Sequence, residues 1–163
     1  MALSPVAALW FLPFAVPVCL WVAWSDMRFM RIPNPAVLTL VAVYALVGPW
    51  VLPFGDWSWR WLQLPAVLLV GFGLNAGGLV GAGDAKFAAG IAPFVAWHDL
   101  PFVTILFATV LLAAFTLHRL VRRMARLRAG FPDWASWDHD DFPMGLALAG
   151  TLLFYLALAA LAI

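Results

Sequence analysis

Apolar segments long enough to cross a lipid bilayer recur along the whole chain, and they constrain its fold more than any other feature of the sequence. A transmembrane helix needs about 20 mostly apolar residues. Of the 163 residues, 66% are hydrophobic and 10% are charged, and the mean hydropathy is +0.98, whereas soluble domains are roughly half apolar. We therefore expect an integral membrane protein.

Six apolar segments can be delimited, which predicts an all-α, polytopic membrane protein with about six transmembrane helices in one domain over residues 1–163. The segments cover about 5–24, 36–54, 62–80, 85–97, 100–117 and 142–161. The fourth is short for a crossing, and we expect Asp84 to be its helix cap.

The connections between the segments carry most of the polar residues. Residues 25–35 are expected to form a turn, because Ile32 and Asn34 each precede a proline, which disfavours the helical conformation. The segment 55–61 has three tryptophans at alternate positions beside Arg60, a pattern typical of an interfacial aromatic belt.

Glycines recur every four residues near the end of the third segment. If the helix continues through them, they lie on one face and allow a neighbouring backbone to approach closely. This prediction concerns Gly73, Gly77 and Gly81.

The loop of about 119–141 is strongly charged. Its arginines include four at helical spacing, which predicts a basic face directed at anionic lipid head groups; these are Arg119, Arg122, Arg123 and Arg126. The cluster is small and adjacent to the membrane, so nucleic-acid binding is disfavoured. The run of residues 138–141 could bind a metal, but a solvated acidic loop that balances the arginines is the favoured interpretation.

The distribution of basic residues predicts the orientation of the chain. With six crossings, eight of the nine basic residues fall on one side, and Arg60 alone falls on the other. Cytoplasmic loops are enriched in lysine and arginine. We therefore expect the basic side to face the cytoplasm and both termini to lie outside.

The same topology places two carboxylates, Asp26 and Asp84, at the cytoplasmic face, far apart in sequence but level in depth. Two neighbouring carboxyl groups do not both ionise easily, so one can act as a base on water while the other acts as an acid. An ordinary interfacial ion pair with Arg28 would also explain Asp26. Asp84 is harder to explain in this way, because Gly81 and Gly83 remove bulk beside it and a helix N-terminus favours its charge.

Three blocks of residues resemble the type IV prepilin peptidases, a group of GxGD-type intramembrane aspartic proteases. The block 81–86, Gly-Ala-Gly-Asp-Ala-Lys, is similar to their GxGDxK motif. Asp26-Met27-Arg28 followed by Arg31-Ile32-Pro33-Asn34 resembles their first-aspartate region, and the block 143–147, Pro-Met-Gly-Leu-Ala, resembles a segment near the end of shorter members.

The resemblance implies an aspartic endopeptidase that removes the leader peptide of a prepilin or pseudopilin-like substrate after a leader glycine, at the cytoplasmic membrane face. Asp26 and Asp84 would be the catalytic pair, and neither a metal nor another cofactor would be needed. The residues that would support the site or the substrate are Gly81, Gly83, Lys86, Arg28 and Asn34.

The chain also departs from the long bacterial form of this family, which has an added N-terminal region with paired cysteines associated with methylation. This sequence has a single cysteine, Cys19, which disfavours methyltransferase activity and favours the short form that serves tight-adherence (Flp) pili or a relative that acts on archaeal-type preflagellins. The presenilin-like branch pairs its motif with Tyr-Asp, whereas Ser25 precedes Asp26 here. The remaining alternative is a non-catalytic or ion-conducting membrane subunit of a secretion or pilus assembly, in which the acids would line a transmembrane path.

Overall fold

The computed structural model describes residues 1–162, which are predominantly helical and contain no β-strand. The prediction of an all-α fold is confirmed. The helices are α1 (Pro5–Phe29), α2 (Asn34–Val51), α3 (Phe54–Arg60), α4 (Gln63–Ala76), α5 (Ala82–Ile91), α6 (Leu100–Arg122), α7 (Ala125–Arg128) and α8 (Met144–Leu161).

Within residues 1–162, four helical stretches are long and apolar enough to cross a membrane: α1, α2, α8 and the stretch Trp97–Arg122 that contains α6. The third and fourth apolar segments form shorter helices, α4 with 14 residues and α5 with 10. These two helices pack on each other as a hairpin. The polytopic character is therefore confirmed, with two of the six expected segments shorter than a full crossing.

The centre of the bundle is the pair α1 and α8. The helices α2 and α5 pack around this pair, while α6 packs mainly on α8 and α4 mainly on α5. Large apolar side chains cover the outside of the bundle, such as Trp50 and Leu69, which are 87% and 74% exposed. Such an outer surface suits contact with lipid chains.

Consecutive segments run in opposite directions between the two ends of the bundle. At the carboxylate end, which contains Asp26 and Asp84, the first turns of α5 and α8 meet the end of α1. At the opposite end, buried Asp99 accepts hydrogen bonds from the backbone N–H groups of Ala2 and Leu3 and from the Tyr155 hydroxyl. These contacts hold the start of the chain against α6 and α8.

The tryptophan-rich segment is helical, contrary to the expected loop. In α3, Trp57 packs on the core and its indole N–H donates to the Tyr44 carbonyl oxygen, while Arg60 is only 7% exposed. Trp59 alone among the three tryptophans is strongly exposed, at 66%. The segment therefore packs on the core as a helix instead of forming a loop, and its place in an interfacial aromatic belt stays a prediction.

The predicted glycine face is also wrong. α4 ends at Ala76, so Gly77 and Gly81 flank the turn between α4 and α5, and a Cβ atom on Gly73 would contact nothing within 4 Å. The close approach occurs at Gly71, where a Cβ atom would lie 2.8 Å from the Ala85 Cβ.

The basic face is interrupted, because α6 ends at Arg122 and Arg126 lies on the separate helix α7. The guanidinium groups of Arg119 and Arg122 donate to the backbone carbonyls of Asp140 and His139. These two arginines therefore hold the acidic loop, and their predicted binding to anionic lipids stays a prediction. Within residues 1–162, no three His, Cys, Asp or Glu side chains are grouped as metal ligands.

Candidate active site

Asp26 lies in the last turn of α1, because the helix continues through Phe29 rather than ending near Trp24 as predicted. The helix stops at Met30, which adopts a left-handed conformation (φ 51°) and donates its N–H to the Asp26 carbonyl oxygen at 2.9 Å. The Ser25 hydroxyl donates to the Arg31 carbonyl oxygen at 2.8 Å and fixes the following turn. Asp26 is thereby held in position and is only 5% exposed.

The first turn of α8 binds the Asp26 carboxylate. The Gly145 N–H donates to the Asp26 Oδ2 at 2.7 Å. The first N–H groups of a helix have no partner within it, and the positive end of the helix dipole favours an anion there. A Cβ atom at position 145 would lie 2.8 Å from the same oxygen, so only glycine fits without displacing it.

Asp84 lies in the first turn of α5 and is half-buried. The helix cap is Gly81, not Asp84 as predicted, and Asp84 is the third helical residue. Its carboxylate folds back onto the cap, where a Cβ atom on Gly81 would lie 2.5 Å from the Asp84 Oδ2. Each of the two carboxylates is thus placed at a helix N-terminus, one at α8 and the other at α5.

Asp26 and Asp84 line one cavity of about 370 Å³ at the carboxylate end. Four of the five predicted supporting residues line the same cavity: Gly81, Gly83, Asn34 and Lys86. Arg31 also lines it, and the sequence indicated no role for this residue in the site.

Ile32 lies between the two halves of the site and is buried. A Cβ atom on Gly83 would lie 3.4 Å from the Ile32 Cβ, and one on Gly145 would lie 3.0 Å from its Cδ1. The Ile32 side chain therefore sets the spacing between the α5 and α8 turns. The sequence identified Ile32 as a residue that precedes proline and as part of the block that resembles the first-aspartate region, but nothing in the sequence indicated this contact.

The predicted turn around residues 25–35 is shorter than expected, since Asn34 is the first residue of α2. Its side-chain Oδ1 accepts a long, exposed hydrogen bond of 3.4 Å from the Lys86 Nζ. This contact connects α2 to α5 at the rim of the cavity.

Arg28 does not line the carboxylate cavity. Its guanidinium group lies over the rings of Trp24 and Phe29, 5.3 Å and 5.1 Å from their centroids, and borders a separate pocket with residues 130–134. Stacking on two aromatic rings is favourable for a guanidinium group. The guanidinium group of Arg28 is therefore directed at these rings rather than at Asp26, and its supporting role stays a prediction.

Fold and site together define a polytopic helical membrane protein with two carboxylates in one cavity at the end of its helices. A family model described as the type IV leader peptidase family matches residues 13–117, well over half of the chain, and the chain belongs to this family. The matched range includes Asp26 and Asp84 and ends before Gly145. No curated protein and no solved structure gives a significant match. The chain is thus a membrane peptidase of the prepilin-processing type.

Proposed function

We propose that the protein is an aspartic endopeptidase that removes the leader of a prepilin or pseudopilin-like substrate, after a leader glycine, at the cytoplasmic membrane face. The observation that carries this proposal is the shared cavity of Asp26 and Asp84 in a chain of the type IV leader peptidase family.

The two acids have complementary roles in the proposed mechanism. Because two close carboxyl groups share a proton, the ionised group accepts a proton from water while the protonated group donates to the carbonyl oxygen of the scissile amide. Water attacks the carbonyl carbon to give a tetrahedral intermediate. The intermediate collapses when the leaving amine takes up a proton from one acid while a hydroxyl group of the intermediate returns its proton to the other acid. The Gly145 N–H holds the Asp26 carboxylate in place through its Oδ2.

The position of the acids favours hydrolysis over ion conduction. An ion path would need acids at several depths, whereas Asp26 and Asp84 lie at one end. The buried carboxylate at the opposite end, Asp99, already accepts hydrogen bonds from Ala2, Leu3 and Tyr155. A buried carboxylate whose oxygens already accept these hydrogen bonds is suited to a structural role rather than to ion conduction.

The proposal is tested with Asp26→Asn and Asp84→Asn, each expressed with a prepilin whose leader removal is followed on gels and by mass spectrometry of the new N-terminus. Each variant should slow processing by at least about 100-fold, because it removes an acid-base group. The control is Asp56→Asn, an exposed acid on α3 at the opposite end, which should process normally. Normal processing by either active-site variant at equal membrane content would refute the two-aspartate mechanism.

A further inference from the structure

A second cavity, of about 330 Å³, forms an apolar crevice beside Asp84. One wall is the α4–α5 hairpin, with Val67 and Leu74, and the other is α6, with Val103 and Phe107. The crevice exists because α4 packs mainly on α5 and α6 packs mainly on α8, which leaves a gap between the two outer helices.

The crevice has two polar side chains among those that line it. The Thr104 hydroxyl donates to the Leu100 carbonyl oxygen at 2.8 Å, within its own helix. Asp84 lines both this crevice and the cavity that it shares with Asp26. The crevice is therefore an apolar groove whose polar end is a candidate catalytic carboxylate.

We propose that this crevice seats the apolar helix of the prepilin-like substrate, which would enter from the bilayer with its scissile amide delivered to Asp84. This inference rests on the proposed function, which requires a substrate with a polar leader and an apolar membrane helix. The α6 wall from Leu100 to Phe107 is about two helical turns long. It can therefore align about two successive turns of a bound helix.

Charge complementarity favours a peptide helix over a lipid in this crevice. The N-terminal end of the substrate helix would carry free N–H groups and a partial positive charge, which match the carboxylate of Asp84. A phospholipid chain seated in the same groove would bring its phosphate towards that carboxylate, and the two negative charges would repel.

A larger apolar groove of about 700 Å³ lies on another side of α6 and provides an internal control. It is lined by α6, including Val110, by α8, by Met27 of α1 and by the segment that follows α6, and neither Asp26 nor Asp84 lines it. Val103 in the crevice and Val110 in the larger groove lie on the same helix and are both half-buried. They form a matched pair of positions.

The test is disulfide trapping with Val103→Cys and Val110→Cys. Each is expressed with a prepilin made non-cleavable at its leader glycine and carrying single cysteines scanned along its apolar helix. Copper phenanthroline oxidises the membranes, and adducts are read on non-reducing gels, since a disulfide needs Cβ atoms about 4 Å apart. The single native cysteine, Cys19, is fully buried and should not compete.

We expect Val103→Cys to give at least about tenfold more adduct than Val110→Cys. As a second readout, Val103→Trp should raise the KM for prepilin and leave kcat nearly unchanged. Stronger trapping at Val110→Cys, no adduct at Val103→Cys for any scanned position, or an unchanged KM in Val103→Trp would overturn the docking proposal. If the wild-type protein still cleaves prepilin, these results would overturn the docking proposal and leave the proposed function intact. If the wild-type protein does not cleave prepilin, the proposed function itself is refuted.

Discussion

Two glycines contact the two candidate catalytic carboxylates, one glycine for each acid. Gly81 packs against the Asp84 Oδ2. Gly145 packs against the Asp26 Oδ2 and donates a hydrogen bond to it from its backbone N–H. A methyl group at either position would move the adjacent carboxylate, since the oxygen is the free end of its side chain. Small displacements of reacting groups are costly, about 100-fold in rate for 1 Å.

Gly81→Ala and Gly145→Ala should therefore each reduce leader removal by at least about tenfold, with Gly145→Ala also straining the contact with Ile32. Rates of processing at equal protein content provide the measurement. Gly55→Ala is the control, because a Cβ atom at that exposed position meets nothing within 4 Å. If Gly145→Ala processes like Gly55→Ala, the glycine does not position Asp26.

The α4–α5 hairpin places Asp84, and its packing depends on one close contact. A Cβ atom on Gly71 would lie 2.8 Å from the Ala85 Cβ and 3.2 Å from its Cα, so the two helices would have to separate. Ala85 directly follows Asp84. Movement at this contact is therefore transmitted to the site.

Gly71→Ala should lower the stability by about 1–3 kcal/mol, as overpacking does, and should slow processing. Thermal unfolding in detergent and the processing rate are the two measurements. Gly73→Ala, in the same helix but with open space around its Cβ, should be neutral or stabilising, because alanine favours a helix over glycine by about 1 kcal/mol. Adding Ala85→Gly to Gly71→Ala should partly restore both quantities, and the absence of any rescue would show that this contact is not the cause.

The helices illustrate what the sequence can and cannot predict. Hydropathy located every long helix, and the alternation of the apolar segments was enough to place Asp26 and Asp84 at one end of the bundle. The spacing of Gly73, Gly77 and Gly81 led to the wrong prediction of a shared helix face. Periodicity does not show where a helix ends, and α4 ends at Ala76. The role of Gly145 depends on a hydrogen bond across 119 residues, which no local pattern contains.

At the scale of the whole molecule, the carboxylate end is also the basic end. The segments around the site contain Arg31 and Lys86, and the arginines from Arg119 to Arg128 lie at the end of α6 and in α7, whereas Arg60 lies on α3 at the opposite end. The asymmetry follows from the chain order of the six segments, whichever of them span the full bilayer. Positive charge is retained on the cytoplasmic side, so the charge distribution predicts that the site opens to the cytoplasm.

Single cysteines at the two ends test this orientation. Ala129→Cys lies on an exposed loop at the carboxylate end, and Gly55→Cys lies in the exposed first helical turn of α3 at the opposite end. A membrane-impermeant maleimide should label Gly55→Cys in intact spheroplasts and Ala129→Cys only after permeabilisation, with buried Cys19 unlabelled in both. Labelling of Ala129→Cys from outside would place the two aspartates away from the cytoplasm, where a substrate still carrying its basic leader could not reach them, and the proposed cleavage could not occur there.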